Sequence, residues 1–134
     1  MIVVDTNVIA SLWVPNDMDE LAYSVLKKDP EWVAPVLWFS EFRNILALYL
    51  RREVLDLASI LQAMQEAEQL MHTRAWEVNS VQVLSLVSRS GCSSYDCEFV
   101  ALAKDLGVQM VTFDRKICRE FPEIAVHPDD FLVV

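Results

Sequence analysis

Hydrophobic and polar positions recur along the chain at two different spacings, which predict short strands separated by helices. Residues 2–4, IVV, are three β-branched side chains in a row, which is typical of a short buried strand. A polar stretch, DTN at residues 5–7, interrupts this run before apolar residues 8 and 9 resume it. Similar apolar runs predict further strands at residues 32–34, 108–113 and 124–126.

Apolar residues spaced three and four positions apart predict helices between these strands. One helix opens at the acidic residues from Asp17 and stops before Pro30, because the residue preceding a proline disfavours helical backbone. The segment CSSYDCEFVALAKDLG, residues 92–107, predicts a helix with serines at its start and Gly107 as its stop. The remaining predicted helices span residues 39–52, 54–72, 80–89 and 117–120.

The alternation of strands and helices, without tight hairpin signals, predicts an α/β fold with a central parallel sheet in a three-layer α/β/α arrangement. A chain of 134 residues is long enough for one domain and too short for two, so we expect a single domain over residues 1–134. Ligands bind such folds outside the carboxyl ends of the strands, where the strand order reverses. Asp5 and Asp114 both follow predicted strands and belong at that edge.

The composition limits how the protein can meet its partners. A hydrophobic fraction of 54% leaves apolar surface for a subunit or partner interface, so we expect oligomerisation. Eleven basic against 20 acidic residues give a net charge of -9, which argues against nucleic-acid binding by bulk electrostatic attraction. The only glycines are Gly91 and Gly107, which excludes a P-loop and a dinucleotide-binding GxGxxG motif.

The lack of targeting signals and the pattern of the cysteines predict a cytoplasmic protein that does not associate with membranes. The chain lacks the apolar segment of about 18 residues that a membrane span requires. It also lacks the basic n-region of a signal peptide. Its three cysteines are odd in number and have no zinc-ligand spacing, which indicates free thiols in a reducing compartment.

Each of two predicted strands ends in an acidic residue with a neutral polar residue two positions away. Asp5 has Asn7 as this partner and Asp114 has Thr112. Side chains at i and i+2 project to one side where strand geometry persists, so each strand would deliver a carboxylate and a hydrogen-bonding group to the same edge. The alternative is that both acids simply cap the turns that leave their strands.

Two further acids lie on helix faces that should be buried. Glu41 is followed on its own face by apolar residues four and seven positions later, and Asp96 also has apolar residues on or near its face. Glu98 lies about 200° around the helix from Asp96 and is expected to face solvent. Ser93 and Asp96 also form a capping-box pattern, so a purely structural role for Asp96 stays open.

Four carboxylates in one partly buried cleft would repel one another and require a cation. Arg43, the nearest base to Glu41 in the sequence, is two positions along the helix and faces away. Hard oxygen ligands favour Mg²⁺ or Mn²⁺ over zinc or a redox metal. Such an ion can lower the pKa of a water molecule and orient it for in-line attack on phosphorus, so we expect phosphodiester hydrolysis.

Four short motifs then match a known family. They are VVDTNV at residues 3–8, SEF at 40–42, SYDCEFVALAKDLG at 94–107 and VTFDRK at 111–116. In this order, at these separations and over essentially the whole chain, they resemble the PIN domain, in particular the single-domain ribonuclease toxins of the VapBC type.

The resemblance implies a fold, an activity and partners. The family fold is a parallel sheet flanked by helices, and its motif acids bind Mg²⁺ or Mn²⁺ to cleave RNA that is single-stranded or in a loop. Its toxins are usually homodimers inhibited by a small antitoxin protein that also binds DNA. By this similarity the catalytic, metal-binding acids would be Asp5, Glu41, Asp96 and Asp114, supported through hydrogen bonds by Asn7 and Thr112.

The RNA contacts and two other functions stay open. Ordinary solvated charge explains the candidate basic residues as well as phosphate binding does. Phosphorylation of Asp5 in a phosphatase or phosphotransferase is a second hypothesis, although Asn7 stands where a second acid would be needed. A metal-binding interaction module without nuclease activity is the third. The candidate RNA-binding residues are Arg43, Arg51, Arg52, Arg115 and Lys116.

Overall fold

The computed structural model describes residues 1–133, so the last residue of the predicted domain, 134, lies outside it. Five short strands form one sheet in which every neighbouring pair is parallel, in the order β3-β2-β1-β4-β5. This sheet, with helices around it, confirms the predicted α/β fold. The strands are β1 (Ile2–Val4), β2 (Trp32–Pro35), β3 (Ala75–Trp76), β4 (Met110–Val111) and β5 (Ala125–Val126).

Helices connect the strands and cover the sheet. Helix α6 packs against the strands β1, β2 and β4. Helix α5 packs in turn against α6. The helix α3 contacts both α1 and α4, and α2 contacts α8. Their bounds are α1 (Thr6–Ala10), α2 (Asp19–Lys28), α3 (Trp38–Arg51), α4 (Leu57–Leu70), α5 (Ser80–Ser88), α6 (Ser94–Leu106), α7 (Arg115–Glu120) and α8 (Pro128–Leu132).

The strand order creates the predicted binding edge. From the central strand β1 the chain builds outward through β2 to β3, and then crosses to the other side of β1 to form β4 and β5. In the register of the sheet, Val3 pairs with Val33 on one side and with Met110 on the other. The order therefore reverses between β1 and β4, whose carboxyl ends lead directly into Asp5 and Thr112.

The core lies where the helices close on the sheet. Strands β1 and β2 are buried along their whole length, as expected for parallel strands covered on both faces. Trp32, Trp38, Phe42 and Phe99 are among the largest fully buried side chains. Fully burying one apolar side chain of this kind stabilises a fold by about 1.5–3 kcal/mol, so these aromatics help to hold β2, α3 and α6 in the core.

Four short elements differ from the prediction. No element was predicted for residues 6–10, which form the helix α1 because Asp5 caps a helix there. The strand β3 and the helix α8 were not predicted, because their two and five residues are too few to show a hydrophobic period. The predicted strand at 108–113 pairs only over Met110–Val111.

Within residues 1–133, no helix combines the length and the hydrophobicity that crossing a membrane requires.

Candidate functional site

A pocket of about 210 Å³ opens at the carboxyl ends of β1 and β4. All four acids predicted for the site line it, and so does Asn7. The fold thus brings together acids from the two ends of the chain and from two helices between them. The lining residues are Asp5, Thr6, Asn7, Glu41, Asn44, Ile45, Asp96 and Asp114.

Asp5 is the most deeply buried of the four acids, with 8% of its surface exposed. It is the N-cap of α1, and its Oδ1 accepts a hydrogen bond of 2.8 Å from the backbone N–H of Thr6. Its Oδ2 accepts a hydrogen bond of 2.6 Å from the hydroxyl of Thr112. The capping alternative is therefore correct for one oxygen of Asp5, while the other oxygen is tied to β4.

Thr112 links the two acids that follow the strands. Its fully buried hydroxyl donates to Asp5 and accepts a hydrogen bond of 3.0 Å from the backbone N–H of Asp114. The hydrogen-bonding support predicted for Thr112 is present. Asn7 is different, because it lies in α1 rather than on a strand and its side chain has no hydrogen-bond partner in residues 1–133.

Glu41 lies in the first turn of α3 and is half-buried. Its Oε1 accepts a hydrogen bond of 2.7 Å from the hydroxyl of Thr6, which is itself buried. Sequence reasoning missed both Thr6 and Asn44 as pocket residues. Asn44 could have been found, because it lies three residues after Glu41 on the same helix face. Thr6 carried no such signal, since its orientation depends on the short helix α1.

Asp96 and Asp114 both lie at helix N-termini. Ser93 caps α6 and its Oγ accepts a hydrogen bond of 3.1 Å from the backbone N–H of Asp96. Within the described residues the Asp96 carboxylate does not return a bond to Ser93, so only half of a capping box forms. Asp114 caps α7, and its Oδ1 accepts bonds from the N–H groups of Lys116 and Ile117 at 2.9 and 3.4 Å. Each acid keeps at least one carboxylate oxygen free of these capping bonds.

Burial and mutual repulsion raise pKa values in the pocket. Burial raises the pKa of Asp5 from 3.8 to about 6, and the charges of Glu41 and Asp96 add to this, against the opposing hydrogen bonds from Thr112 and Thr6. Burial also raises the pKa of Glu41, with the charges of Asp96 and Glu98 adding and the Thr6 hydroxyl opposing. These carboxylates are therefore close enough to disfavour one another's charged form.

Glu98 does not face open solvent, so that prediction is wrong. Its side chain is half-buried, and burial raises its pKa. It lines a second pocket with residues of α5, including Val83 and Leu84. The helical angle from Asp96 is correct for α6 alone, but α5 packs against α6 and covers that side.

The pocket contains no compensating base. In the part of the chain that the structure describes, no ion pair involves any of the four acids. The candidate RNA-binding residues do not line the pocket. Arg43 lies over the ring of Phe39, with 5.7 Å from its Cζ to the ring centroid. The guanidinium of Arg115 lies 3.4 Å from Asp129, and the ammonium of Lys116 donates to the carbonyl oxygen of Gly91 at 2.6 Å.

The donor set of the pocket fits a hard divalent cation. Its polar lining consists of carboxylates, amides and a hydroxyl, with no His or Cys, and oxygen ligands of this kind suit Mg²⁺ and Mn²⁺. No group of three or more His, Cys, Asp or Glu side chains among residues 1–133 is arranged so that it could hold an ion as it stands. The chemistry of the lining therefore fits such an ion, although the side chains do not form a ready coordination shell.

Comparison with known proteins gives consistent matches over most of the chain. The PIN domain family model matches residues 2–122. Ribonuclease VapC3 from Pyrobaculum aerophilum is 27% identical over 126 residues, covering 92% of this chain and 96% of that protein. PAE2754 from Pyrobaculum aerophilum has a similar crystal structure, with a TM-score of 0.76, 20% identity and coverage of 98% and 92% of the two chains. FitAcB from Neisseria gonorrhoeae also has a TM-score of 0.76, with 18% identity and coverage of 96% and 98%. The two structural matches concern the fold.

Proposed function

The chain belongs to the PIN domain family, and we propose that it is an endoribonuclease that depends on Mg²⁺ or Mn²⁺ and acts as the toxin of a toxin–antitoxin pair. The observation that carries the proposal is the pocket at the point where the strand order reverses, in which four carboxylates meet without a basic partner. Such a concentration of negative charge is tolerable when a cation binds there. The name of Ribonuclease VapC3 supports RNA as the substrate.

The residues that would hold the cation are Asp5, Glu41, Asp96 and Asp114. Their side chains have to turn toward one another to bind it, since they do not form a coordination shell as they stand. A bound divalent ion lowers the pKa of a water molecule and stabilises the charge that develops on the phosphate during hydrolysis. The two threonines orient two of these acids, because the Thr112 hydroxyl holds Asp5 and the Thr6 hydroxyl holds Glu41.

Neutral groups at the pocket edge complete the proposed site. Asn7 and Asn44 line the pocket and are both exposed, so their amide N–H groups are available to hydrogen-bond phosphate oxygens of the substrate. The net charge of -9 does not attract RNA over the whole surface, so binding depends on the cation and on local contacts. A flexible single strand or loop reaches a recess of this kind more readily than a stiff A-form duplex.

The toxin proposal includes two protein partners, a second copy of the chain and a small antitoxin. Exposed apolar side chains provide surface for them. Leu57 and Leu61 on α4 are 56% and 61% exposed, and Val81 on α5 is 76% exposed. Patches of this kind favour association over a free monomer. The proposed location is the cytoplasm, and one domain is proposed for residues 1–134.

The other two functions receive less support. Phosphorylation of Asp5 requires a free, accessible carboxylate oxygen, but this side chain is buried and both of its oxygens accept hydrogen bonds. A metal-binding module without catalysis uses the same carboxylates, so only an activity measurement separates it from the nuclease.

The test is cleavage of labelled single-stranded and hairpin RNAs by purified protein with Mg²⁺, Mn²⁺ or a chelator. The wild type is expected to cleave only with a divalent ion, and Asp96→Asn is expected to reduce the rate by a factor on the order of 10³. Asp105→Asn is the matched control, because Asp105 lies in the last turn of the same helix and does not line the pocket. Metal-dependent melting without cleavage of any RNA would support the interaction module instead.

A further inference from the structure

Two side chains of α7 hold a single residue, Gly91, of the loop between α5 and α6. The ammonium of Lys116 donates to the carbonyl oxygen of Gly91 at 2.6 Å, and the backbone N–H of Gly91 donates to Oε1 of Glu120 at 3.1 Å. Lys116 and Glu120 are four positions apart, so both point to the same side of α7. Within the described residues they form no ion pair with each other. Each one is bonded to Gly91 instead.

This contact joins the two elements that carry Asp96 and Asp114. Asp114 caps α7, the helix on which Lys116 and Glu120 lie. Gly91 lies two residues before Ser93, which caps α6 three residues before Asp96. The separation of these two carboxylates therefore depends on how α7 is fixed to the loop.

We propose that Lys116 and Glu120 are positioning residues for the proposed active site, fixing the backbone before Asp96 relative to the helix that Asp114 caps, so that both side chains can turn toward one cation. The inference rests on the proposed function. It gives Lys116 a different role from an RNA contact, since its ammonium is already bonded within the protein. Small displacements of catalytic groups are costly, because a misplacement of about 1 Å can reduce a rate by 10²-fold.

Gly91 provides a substitution that tests the contact without changing any charge. A Cβ at this position would lie 3.0 Å from Glu120 Oε1 and 3.4 Å from Lys116 Cε, so Gly91→Ala should shift the glutamate carboxylate by a few tenths of an ångström. The backbone at Gly91 is not left-handed, so alanine introduces no strain in φ. An effect of the substitution on the site then comes from the weakened contact with α7.

The experiment compares three variants that change the net charge in three different ways. Lys116→Met removes a positive charge, Glu120→Met removes a negative charge and Gly91→Ala changes neither. Lys116→Met and Glu120→Met are each expected to raise the midpoint of Mn²⁺ binding and lower kcat by about tenfold, and Gly91→Ala is expected to change both in the same direction by a smaller factor. They should leave KM for RNA within about twofold, because only uniform loss of substrate binding raises KM alone. Amide hydrogen exchange at residues 90–96 should also become faster in all three.

Conservative variants and matched controls make the result specific. Lys116→Arg and Glu120→Gln keep a donor and an acceptor, so both are expected to retain most of the wild-type Mn²⁺ affinity. Lys104→Met and Glu123→Met make the same charge changes at exposed positions outside the contact and should behave as wild type. Circular dichroism checks that each variant folds, and the comparison is made among the variants that do.

Two results would overturn the proposal. In the first, Lys116→Met and Glu120→Met change KM in opposite directions and Gly91→Ala has no effect. This result would show an electrostatic contact with RNA instead. Wild-type Mn²⁺ binding, exchange and kcat in all three variants would show that the contact positions nothing. A wild type that binds Mn²⁺ without cleaving RNA would remove the proposed function, while the Mn²⁺ midpoints would still test the contact.

Discussion

The hydroxyl of Thr112 donates a hydrogen bond of 2.6 Å to Oδ2 of Asp5, a residue 107 positions earlier in the chain. The same hydroxyl accepts a bond from the backbone N–H of Asp114. One small side chain therefore connects the acid at the end of β1 to the acid that follows β4. This connection lies where the strand order of the sheet reverses, and it fixes the most buried carboxylate of the pocket.

Replacing Thr112 with valine removes this connection at nearly constant volume. Thr112→Val is expected to destabilise the protein at pH 7 by about 1–3 kcal/mol, because the charged Asp5 carboxylate loses a buried hydrogen bond. At pH 4 Asp5 is protonated and the cost should be smaller. Urea unfolding at the two pH values measures the difference. Thr112→Ser keeps the hydroxyl and should be close to wild type, and an equal loss in both variants would contradict the assignment.

Asp5 should reduce the stability of the metal-free protein as the pH rises. The pKa of Asp5 is about 6 in the folded state and 3.8 in the reference state. Between these two pH values the folded protein therefore binds one more proton at Asp5 than the unfolded protein does. Stability conferred by this proton is present below about pH 4 and is lost by about pH 6. The shift corresponds to about 3 kcal/mol.

Asp5→Asn isolates this effect from other titrating groups. Between pH 4 and pH 7, in the presence of a chelator, the stability of the wild type should fall relative to that of the variant. Thermal or urea unfolding across this range measures the difference, with Asp105→Asn as a control that should follow the wild type. A constant difference between wild type and Asp5→Asn at all pH values would rule out a raised pKa.

A divalent cation should stabilise the wild type and not its pocket variants. At a Mn²⁺ concentration 100 times the dissociation constant, binding stabilises the folded state by about 2.7 kcal/mol. Differential scanning calorimetry with and without Mn²⁺ is expected to give this increase for the wild type and for Asp105→Asn. Asp96→Asn and Asp114→Asn should lose most of it, since each removes a proposed ligand. Equal stabilisation of all four proteins would place the ion elsewhere.

The hydrogen bond from Thr6 to Glu41 should matter for catalysis more than for folding. Thr6→Val leaves Glu41 half-buried with one fewer hydrogen bond, so its carboxylate is less well oriented. We expect the rate of RNA cleavage to fall by about 10–100-fold, as is usual when a partner of a metal-binding residue is removed. Thr6→Ser should recover most of the rate. A valine variant as active as the wild type would remove Thr6 from the site.

Acids that follow strands or lie on an apolar helix face were predictable, and side chains whose surroundings depend on a short helix or on a neighbouring helix were not. Asp5 and Asp114 could be assigned to one edge because parallel strands bring their carboxyl ends together. Glu41 and Asp96 could be assigned because an acid on an apolar helix face is unusual. Thr6 could not be found, since α1 has five residues and shows no hydrophobic period. The position of Glu98 was wrong because a helical angle describes one helix, whereas the packing of α5 decides what covers it.

Anomalous scattering from crystals soaked in Mn²⁺ tests the proposed cation site most directly. A manganese peak is expected in the pocket within coordination distance, about 2.0–2.6 Å, of oxygens from at least three of Asp5, Glu41, Asp96 and Asp114. The peak should be absent from crystals of Asp96→Asn treated in the same way. An empty pocket in wild-type crystals, at a Mn²⁺ concentration that supports RNA cleavage in solution, would contradict a divalent-ion nuclease site at these four acids.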